Sequence, residues 1–438
     1  MLKKNNVVIK YINGGFYYEM FRIIKSKFDR NQYIAKIINS NNKENRMKDY
    51  WKDPKEKKIN KKKLLLIILI IIIVISLIAM AIIYCNNKEA REWIDKNILR
   101  KEIVQDRATT IELNEEQSSN IYAFNKYIGI LNKNKFQIYG NTGNKEKELE
   151  IQISSPIFNS SNRFLAIAEN KGKKVYLLTD KDISWEASIE GNIADVHVNK
   201  NGYVAVVIVD TVHKTVISVY NSQGKPLFKT YLSSNRTADV AISNDNKHLA
   251  IAEVDTSGTI IQSSIKVLSI EKASSDPTNS LENTYKSEMN KLITNLKYQD
   301  KDKLVCMYTD SINIIENGKD SILVDNSNKK VIFQSVNLTN NIVSIEEKSS
   351  GLFTADSFVS IINTDNKNQR EYTANAVTKE MYTYGNIIAL NLGTEIEFIN
   401  TGGWLIKRYI ANQEITNIVV SDSIAGIVYR DKIEIINL

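Results

Sequence analysis

An all-β fold, a ring of four-stranded sheets packed face to face, is what the sequence predicts for residues 109–438. Three observations predict it. Short runs rich in Ile, Val and Tyr alternate with clusters of Asn, Asp, Gly, Ser and Lys, as in KKVYLLTDKD and KTVISVYNSQGKPLFKTYL, the pattern of short strands joined by tight turns. A unit of strand, polar turn and apolar strand recurs eight times at about 41 residues, the length of one propeller blade. The last copy ends one strand short, and a strand-like segment before the first copy can replace it.

The clear copies are FNSSNRFLAIAE at 158, VNKNGYVAVVIV at 198, ISNDNKHLAIAE at 242 and YQDKDKLVCMYT at 298. Weaker ones are FNKYIGIL at 124, LTNNIVSI at 338, YTYGNIIAL at 382 and VSDSIAGIVY at 420. A sheet apolar on both faces cannot stay dry alone, and radial stacking buries both faces while leaving only short edges. After 420 only ITNIVV, AGIVY and KIEIINL are available, so TTIELN at 109–114 is expected to close the ring. The expectation is an eight-bladed β-propeller, with seven blades as the alternative because the copy at 382 is the loosest.

Ahead of the strands, residues 1–63 hold 18 Lys and Arg against 6 Asp and Glu, so of the overall +8 residues 64–438 carry −4. The basic excess belongs to a tail, and no nucleic-acid partner is expected for the large domain. In residues 1–43, Phe16, Tyr17, Met20, Phe21, Ile24 and Phe28 recur at helical spacing with Arg22, Lys25 and Lys27 largely opposite. That suits a helix lying on an anionic leaflet, or else a disordered basic tail, which translation from Met47 would shorten.

The run LLLIILIIIIVISLIAMAIIY from Leu64 to Tyr84 holds no charged residue. At about 1.5 Å per residue it reaches roughly the 30 Å of a bilayer core and reads as one transmembrane helix. Residues 44–63 carry nine Lys and Arg, among them Lys61, Lys62 and Lys63, against five in residues 85–104. The N-terminus is therefore expected in the cytoplasm and the C-terminal domain outside the cell membrane. A cleaved signal peptide is not expected, since the run is too long and no A-x-A site follows, and Tyr84 before Cys85 argues against a lipidated cysteine. Lys88 to Gln105 reads as a helix with Trp93, Ile94, Ile98, Leu99, Ile103 and Val104 on one side. The domains are thus a basic tail at 1–63, a span at 64–84, a stalk at 85–108 and a propeller at 109–438.

One insertion breaks the spacing. The segment Glu271 to Leu292 starts with SSDPTNS and is expected to continue as a helix capped by Ser280, with Leu281, Tyr285, Met289 and Leu292 on one stripe. Such a helix packs on the rim, or serves as a partner-binding arm through Leu281, Tyr285 and Met289. Of the two cysteines, Cys306 in LVCMY reads as a small core residue and Cys85, at the outer membrane edge, has no assigned role. Their number rules out a disulfide framework.

Catalytic templates fail. HExxH, the P-loop, GxSxG, CxxC and a Rossmann glycine pattern are missing, and Ser222 to Lys225 and Ser263 to Lys266 match Ser-x-x-Lys without companion motifs. The three histidines are assigned to different repeat units, His197 on a strand, His213 beside a hairpin turn and His248 at a turn-to-strand step. Asp300 with Asp302, Asp325 to Asn328, and Asp365 to Asn368 offer oxygens at alternate positions without the glycine and distal glutamate of a calcium loop, so they are expected to hold turns. No cofactor or metal is expected.

The repeats allow a sharper inference. Aligned on their last apolar residue before the turn, the positions three earlier read Ile121, Ser155, Asp195, Asp239, Asn295, Ser335, Lys379 and Asn417. Polar side chains at the start of the innermost strands would ring one mouth of the central channel, joined by His197, Lys297 and Asn337 from one residue before the anchor. Asp195, His197, Asp239, Asn295, Lys297 and Asn417 are therefore the candidates for binding a small polar ligand or ion there. The competing expectation is that these side chains cap turns between blades.

The stretches REWIDKNILRKEI, NGYVAVVIVDTVHKTVISVYNSQGKPLFKTYL and ISNDNKHLAIAEVDTSGTIIQSSIKVLSIEKA resemble an uncharacterised bacterial family, a domain of unknown function, of single-pass membrane proteins with an external propeller-like domain. The resemblance spans residues 61–438 and not 1–46. It implies a topology and brings no activity or catalytic residues. Together these readings lead us to expect a non-enzymatic binding or scaffolding module of the cell envelope, anchored in the lipid bilayer, whose partner is an envelope protein or a wall-derived ligand. The alternative is a propeller hydrolase, lactonase-like or acting on a wall polymer, working at the channel mouth.

Overall fold

The computed structural model describes residues 61–86, 94, 109–113, 120–132, 134–349 and 355–438. The basic tail over 1–60 and all of the stalk except residues 85, 86 and 94 lie outside the described residues. The chain divides into two compact units at Ala79 and Met80.

Helix α1 (Lys61–Asn86) runs for 26 residues, about 39 Å at 1.5 Å per residue. It contains no Gly or Pro, so nothing interrupts its hydrogen-bond ladder. Its described large apolar side chains, from Leu66 to Ile83, are exposed. Among the described residues no helix is long and apolar enough to cross a membrane.

The remaining strands form eight four-stranded antiparallel sheets. Blades one to seven take residues 121–150, 156–188, 192–232, 235–286, 293–325, 331–374 and 380–410, each in simple sequence order. The eighth combines Asn417–Val420, Ile424–Val428 and Lys432–Asn437 with Thr109–Glu112, which pairs with the last of these from Thr109↔Ile435 to Glu112↔Lys432. The closing strand expected at 109–114 is thus the outer strand of blade eight, and the count is eight rather than seven. All eight repeat copies are the hairpins that join the innermost strand of a blade to its second strand.

The core is shared between blades. Eight apolar clusters occur, and each joins side chains of two successive blades. The cluster holding Ile128 and Ile130 of blade one with Ile424 and Ile433 of blade eight closes the circle. Second strands such as Val204–Val209, buried on both faces, explain why the sequence there reads as a continuous apolar run. Each fully buried Val or Ile contributes about 1.5–3 kcal/mol, and it does so only while the neighbouring blade is in place.

The inner hairpins turn on residues that tolerate left-handed backbone. Asn125, Asn162, Gly202, Asn246, Asn340 and Gly385 have φ between 49° and 82°, one in each of six blades. This requirement is what repeats in the sequence as Asn and Gly.

The helix expected after Ser280 in the 271–292 insertion is not formed. Helix α2 is only Ile270–Ser275, capped by Ser269, and it is followed by a 3-10 turn, Pro277–Asn279. Leu281–Lys286 is then the outer strand of blade four, paired with Gln262–Ser269. A spacing of four residues places side chains on one face under a period of 2 as well as 3.6, so Leu281, Tyr285 and Met289 fit both patterns. The need of the blade for a fourth strand decides between them. Cys306 is fully buried, in the core between blades four and five.

Candidate functional site

The inner strands of blades three, four and five share a device. Their pairing with the second strand slips between Ile193 and Asp195, between Thr237 and Asp239, and between Ile293 and Asn295. Each slip is a β-bulge, which re-aims the side chains that follow. Val196, Val240 and Leu296 then enter the clusters between blades. Strand alternation sends Asp195, His197, Asp239, Asn295 and Lys297 to the opposite side, toward the channel.

There they form a connected charge network. Asp239 is 7% exposed and its Oδ1 accepts from the backbone N–H of Val240 at 2.8 Å, while its Oδ2 accepts from that of Leu296 in the next blade at 2.6 Å. His197 Nε2 lies 3.0 Å from Asp195 Oδ2 and 3.3 Å from Asp239 Oδ1, spanning blades three and four. Asp195 Oδ1 accepts from its own Val196 N–H at 2.8 Å.

Burial opposes charge on His197, yet the hydrogen bond to Asp195 and the fields of Asp239 and Asp195 prevail and raise its pKa. Burial likewise pushes Asp195 up, but the bond from His197 and its charge, with the Val196 N–H, hold it below the usual carboxylate range. For Asp239 burial wins over His197 and the two backbone donors, and its pKa is raised. The two carboxylates part because Asp195 keeps 49% of its side chain in water and Asp239 keeps 8%.

A cavity of about 590 Å³ opens among the inner hairpins, with lining residues from blades two to eight. It brings together His197, Asp239, Asn295, Lys297 and Asn337. Asp195 lies outside it, on a second cavity of about 260 Å³ that Asp239 also borders. Asn417 lines neither, and its Oδ1 accepts from the Ile418 N–H at 2.8 Å. Tyr384 reaches from blade seven to donate to the Asn162 carbonyl of blade two at 3.3 Å, and burial raises its hydroxyl to about 12. Asp239 thus accepts from a strand of the next blade and Asn417 from its own neighbour Ile418, and neither of these contacts caps a turn between blades.

Leu281 and Met289 are exposed, at 50% and 67%, whereas Tyr285 packs against the cluster between blades four and five. His197 and His213 belong to the same blade, contrary to the expectation that each histidine has its own. His213 contacts Ser233 and Tyr231, and His248 lies 3.2 Å from Glu282. The turn carboxylates serve their turns: Asp300 Oδ1 accepts from the Lys301 N–H, and Asp325 Oδ1 from the Ser327 N–H and hydroxyl.

Asp245, His248 and Asp302 bring one ligand atom each within 4.8 Å of one another. Asp245 Oδ1 is already used by the Ser243 hydroxyl and the Lys247 N–H.

Sequence reasoning missed the residues just after the anchor, which are polar in all eight copies, from Asn125 to Ser421. They tie the turns together. Asn199 donates to the Ser243 carbonyl of blade four at 2.9 Å, and Gln299 of blade five donates to the Leu338 and Asn341 carbonyls of blade six. The same alignment, moved by one position, contains that signal.

Among the described residues His197 is hydrogen-bonded to Asp195 and lies close to Asp239, with no serine or threonine hydroxyl as a partner.

The comparisons agree with the fold. Residues 101–438 match the model of a family described as "Family of unknown function (DUF5711)". No curated protein matches the chain. Among solved structures, the C-terminal WD40 domain of Sif2 is similar over 75% of this chain and 97% of that chain, at 11% identity and a TM-score of 0.51. BamB from Moraxella catarrhalis is similar over 76% of this chain and 100% of that chain, at 12% identity and a TM-score of 0.48. At such identities the likeness concerns the fold alone.

Proposed function

Because the chain belongs to this family of unknown function, which passes on no activity, we propose from the geometry that the propeller is a binding module. It takes a small ligand, or a segment of a partner, at the polar mouth of its channel. The observation that carries this reading is the convergence of side chains from seven blades on one cavity of about 590 Å³. A pocket of that size with a few convergent polar groups is the usual form of a small-molecule site. The hydrolase reading finds no paired nucleophile and base among the described residues, and no observation favours it.

In the same reading, helix α1 spans the cell membrane with the lysine-rich segment in the cytoplasm and the propeller outside. Its support is the uncharged run Leu64 to Tyr84, the exposure of its apolar side chains, and the nine basic residues before it against five after it. In water such a face is unfavourable, and lipid removes the cost. The partner is then an envelope protein or a wall-derived ligand. Protease added to wall-less cells is expected to degrade the propeller and spare the N-terminal segment. A propeller protected until the membrane is permeabilised would overturn the topology.

A further inference from the structure

The chemistry of what the mouth accepts follows from one side chain, and the inference rests on the binding reading above. Lys297 lies on the inner strand of blade five between Leu296 and Tyr298, which are buried between blades, so its own side chain faces the channel and lines the large cavity. Among the described residues its ammonium makes no hydrogen bond or ion pair. Asp239, the nearest carboxylate in charge terms, is taken by the Val240 and Leu296 N–H groups and by His197. Asp422, the other carboxylate of the lining, comes from blade eight and does not pair with Lys297. Lys297 is part-buried, and burial lowers its pKa while Asp239 raises it, as expected for an ammonium partly withdrawn from water without a full counter-charge. Such a charge costs stability unless something compensates it. The side-chain amides of Asn295 and Asn337 line the same cavity, again without hydrogen bonds among the described residues. Each offers two N–H donors to that cavity.

We propose that the channel mouth holds an oxyanion, a carboxylate or phosphate group of its ligand, on the Lys297 ammonium, with the Asn295 and Asn337 amides as flanking donors. The oxyanion supplies the charge that Asp239 cannot, and an ammonium is a suitable point-charge partner for either group.

The test uses the full chain in detergent micelles and reads its thermal unfolding midpoint with inorganic phosphate, with acetate, and with sodium chloride at matched ionic strength. A saturable rise of roughly 2 °C or more with phosphate or acetate over chloride is expected. It is expected to vanish in Lys297→Met and to persist in Lys225→Met, whose lysine sits on an exposed turn of blade three. Without ligand, Lys297→Met is expected to be at least as stable as the wild type, because it removes an uncompensated charge. A second arm adds phosphatidic acid to the micelles: a rise that needs the lipid assigns the oxyanion to a headgroup, and one with free phosphate assigns it to a soluble ligand. No rise in either arm, or a rise unchanged in Lys297→Met, overturns the proposal. A partner protein captured at the mouth with neither anion having any effect would also overturn it while leaving the binding reading intact.

Discussion

Asp239 of blade four accepts a hydrogen bond from the backbone N–H of Leu296 in blade five, at 2.6 Å. The contact crosses a blade boundary at the channel wall, where a strand N–H has no ladder partner. The same carboxylate faces His197, which in turn reaches Asp195 of its own blade. One buried side chain therefore joins three blades and borders the cavity proposed to bind ligand.

Asp239→Ala leaves the Leu296 N–H without its acceptor and should lower stability by about 2–3 kcal/mol, the cost of an orphaned buried donor that had a charged partner. Asp195→Ala, half in water, should cost about 1 kcal/mol or less. Urea unfolding midpoints check both. Equal losses would remove the distinction drawn between the two carboxylates.

The network also sets a pH dependence. The His197 pKa is raised on folding, so its contribution is fully present below the unfolded value of 6.5 and is lost as pH rises through the folded value. The groups facing it are Asp195, Asp239 and Lys297. In His197→Gln the decline in stability on raising the pH from 6.5 should be shallower than in the wild type. Parallel profiles for the two proteins would show that His197 does not gain its proton's stabilisation from the carboxylates.

Ring closure depends on four residues. Ile111 pairs with Ile433 and packs on the cluster between blades eight and one. Ile111→Pro removes a ladder donor and should cost about 3 kcal/mol. Hydrogen exchange should rise first in blade eight, over residues 417–437, and an unchanged exchange pattern there would argue that closure lies elsewhere.

The outer strand of blade four gives a sharp contrast. Leu281→Ser, at an exposed position, should change stability by no more than about 0.5 kcal/mol, while Tyr285→Ser should cost about 2 kcal/mol or more through lost packing between blades. Thermal melts of the two variants decide it. Similar effects would contradict the strand register described for Leu281–Lys286.

Much of this architecture was legible in the chain. The inner hairpins announce themselves because a left-handed turn restricts residues 125, 162, 202, 246, 340 and 385 to Asn or Gly, and because the following strands are buried on both faces. The alignment also found the polar positions at Asp195, Asp239 and Asn295, since the bulge before each repeats with the blade. Other features were hidden. LENTYK reads as a helix because an outer edge strand carries few apolar residues to reveal its period. Tyr384 crossing to Asn162, a contact 222 residues apart in sequence, breaks a symmetry that the repeats imply.

The central claim is that recognition happens at the inner-hairpin mouth. A photo-crosslinking amino acid at position 200, which is exposed on the cavity lining, should capture a ligand or partner in intact cells, read by intact mass and gel shift. The same group at position 212, fully exposed beside the second and third strands of blade three at the opposite end of the blades, should capture little. Capture at 212 equal to or above that at 200 would contradict the account.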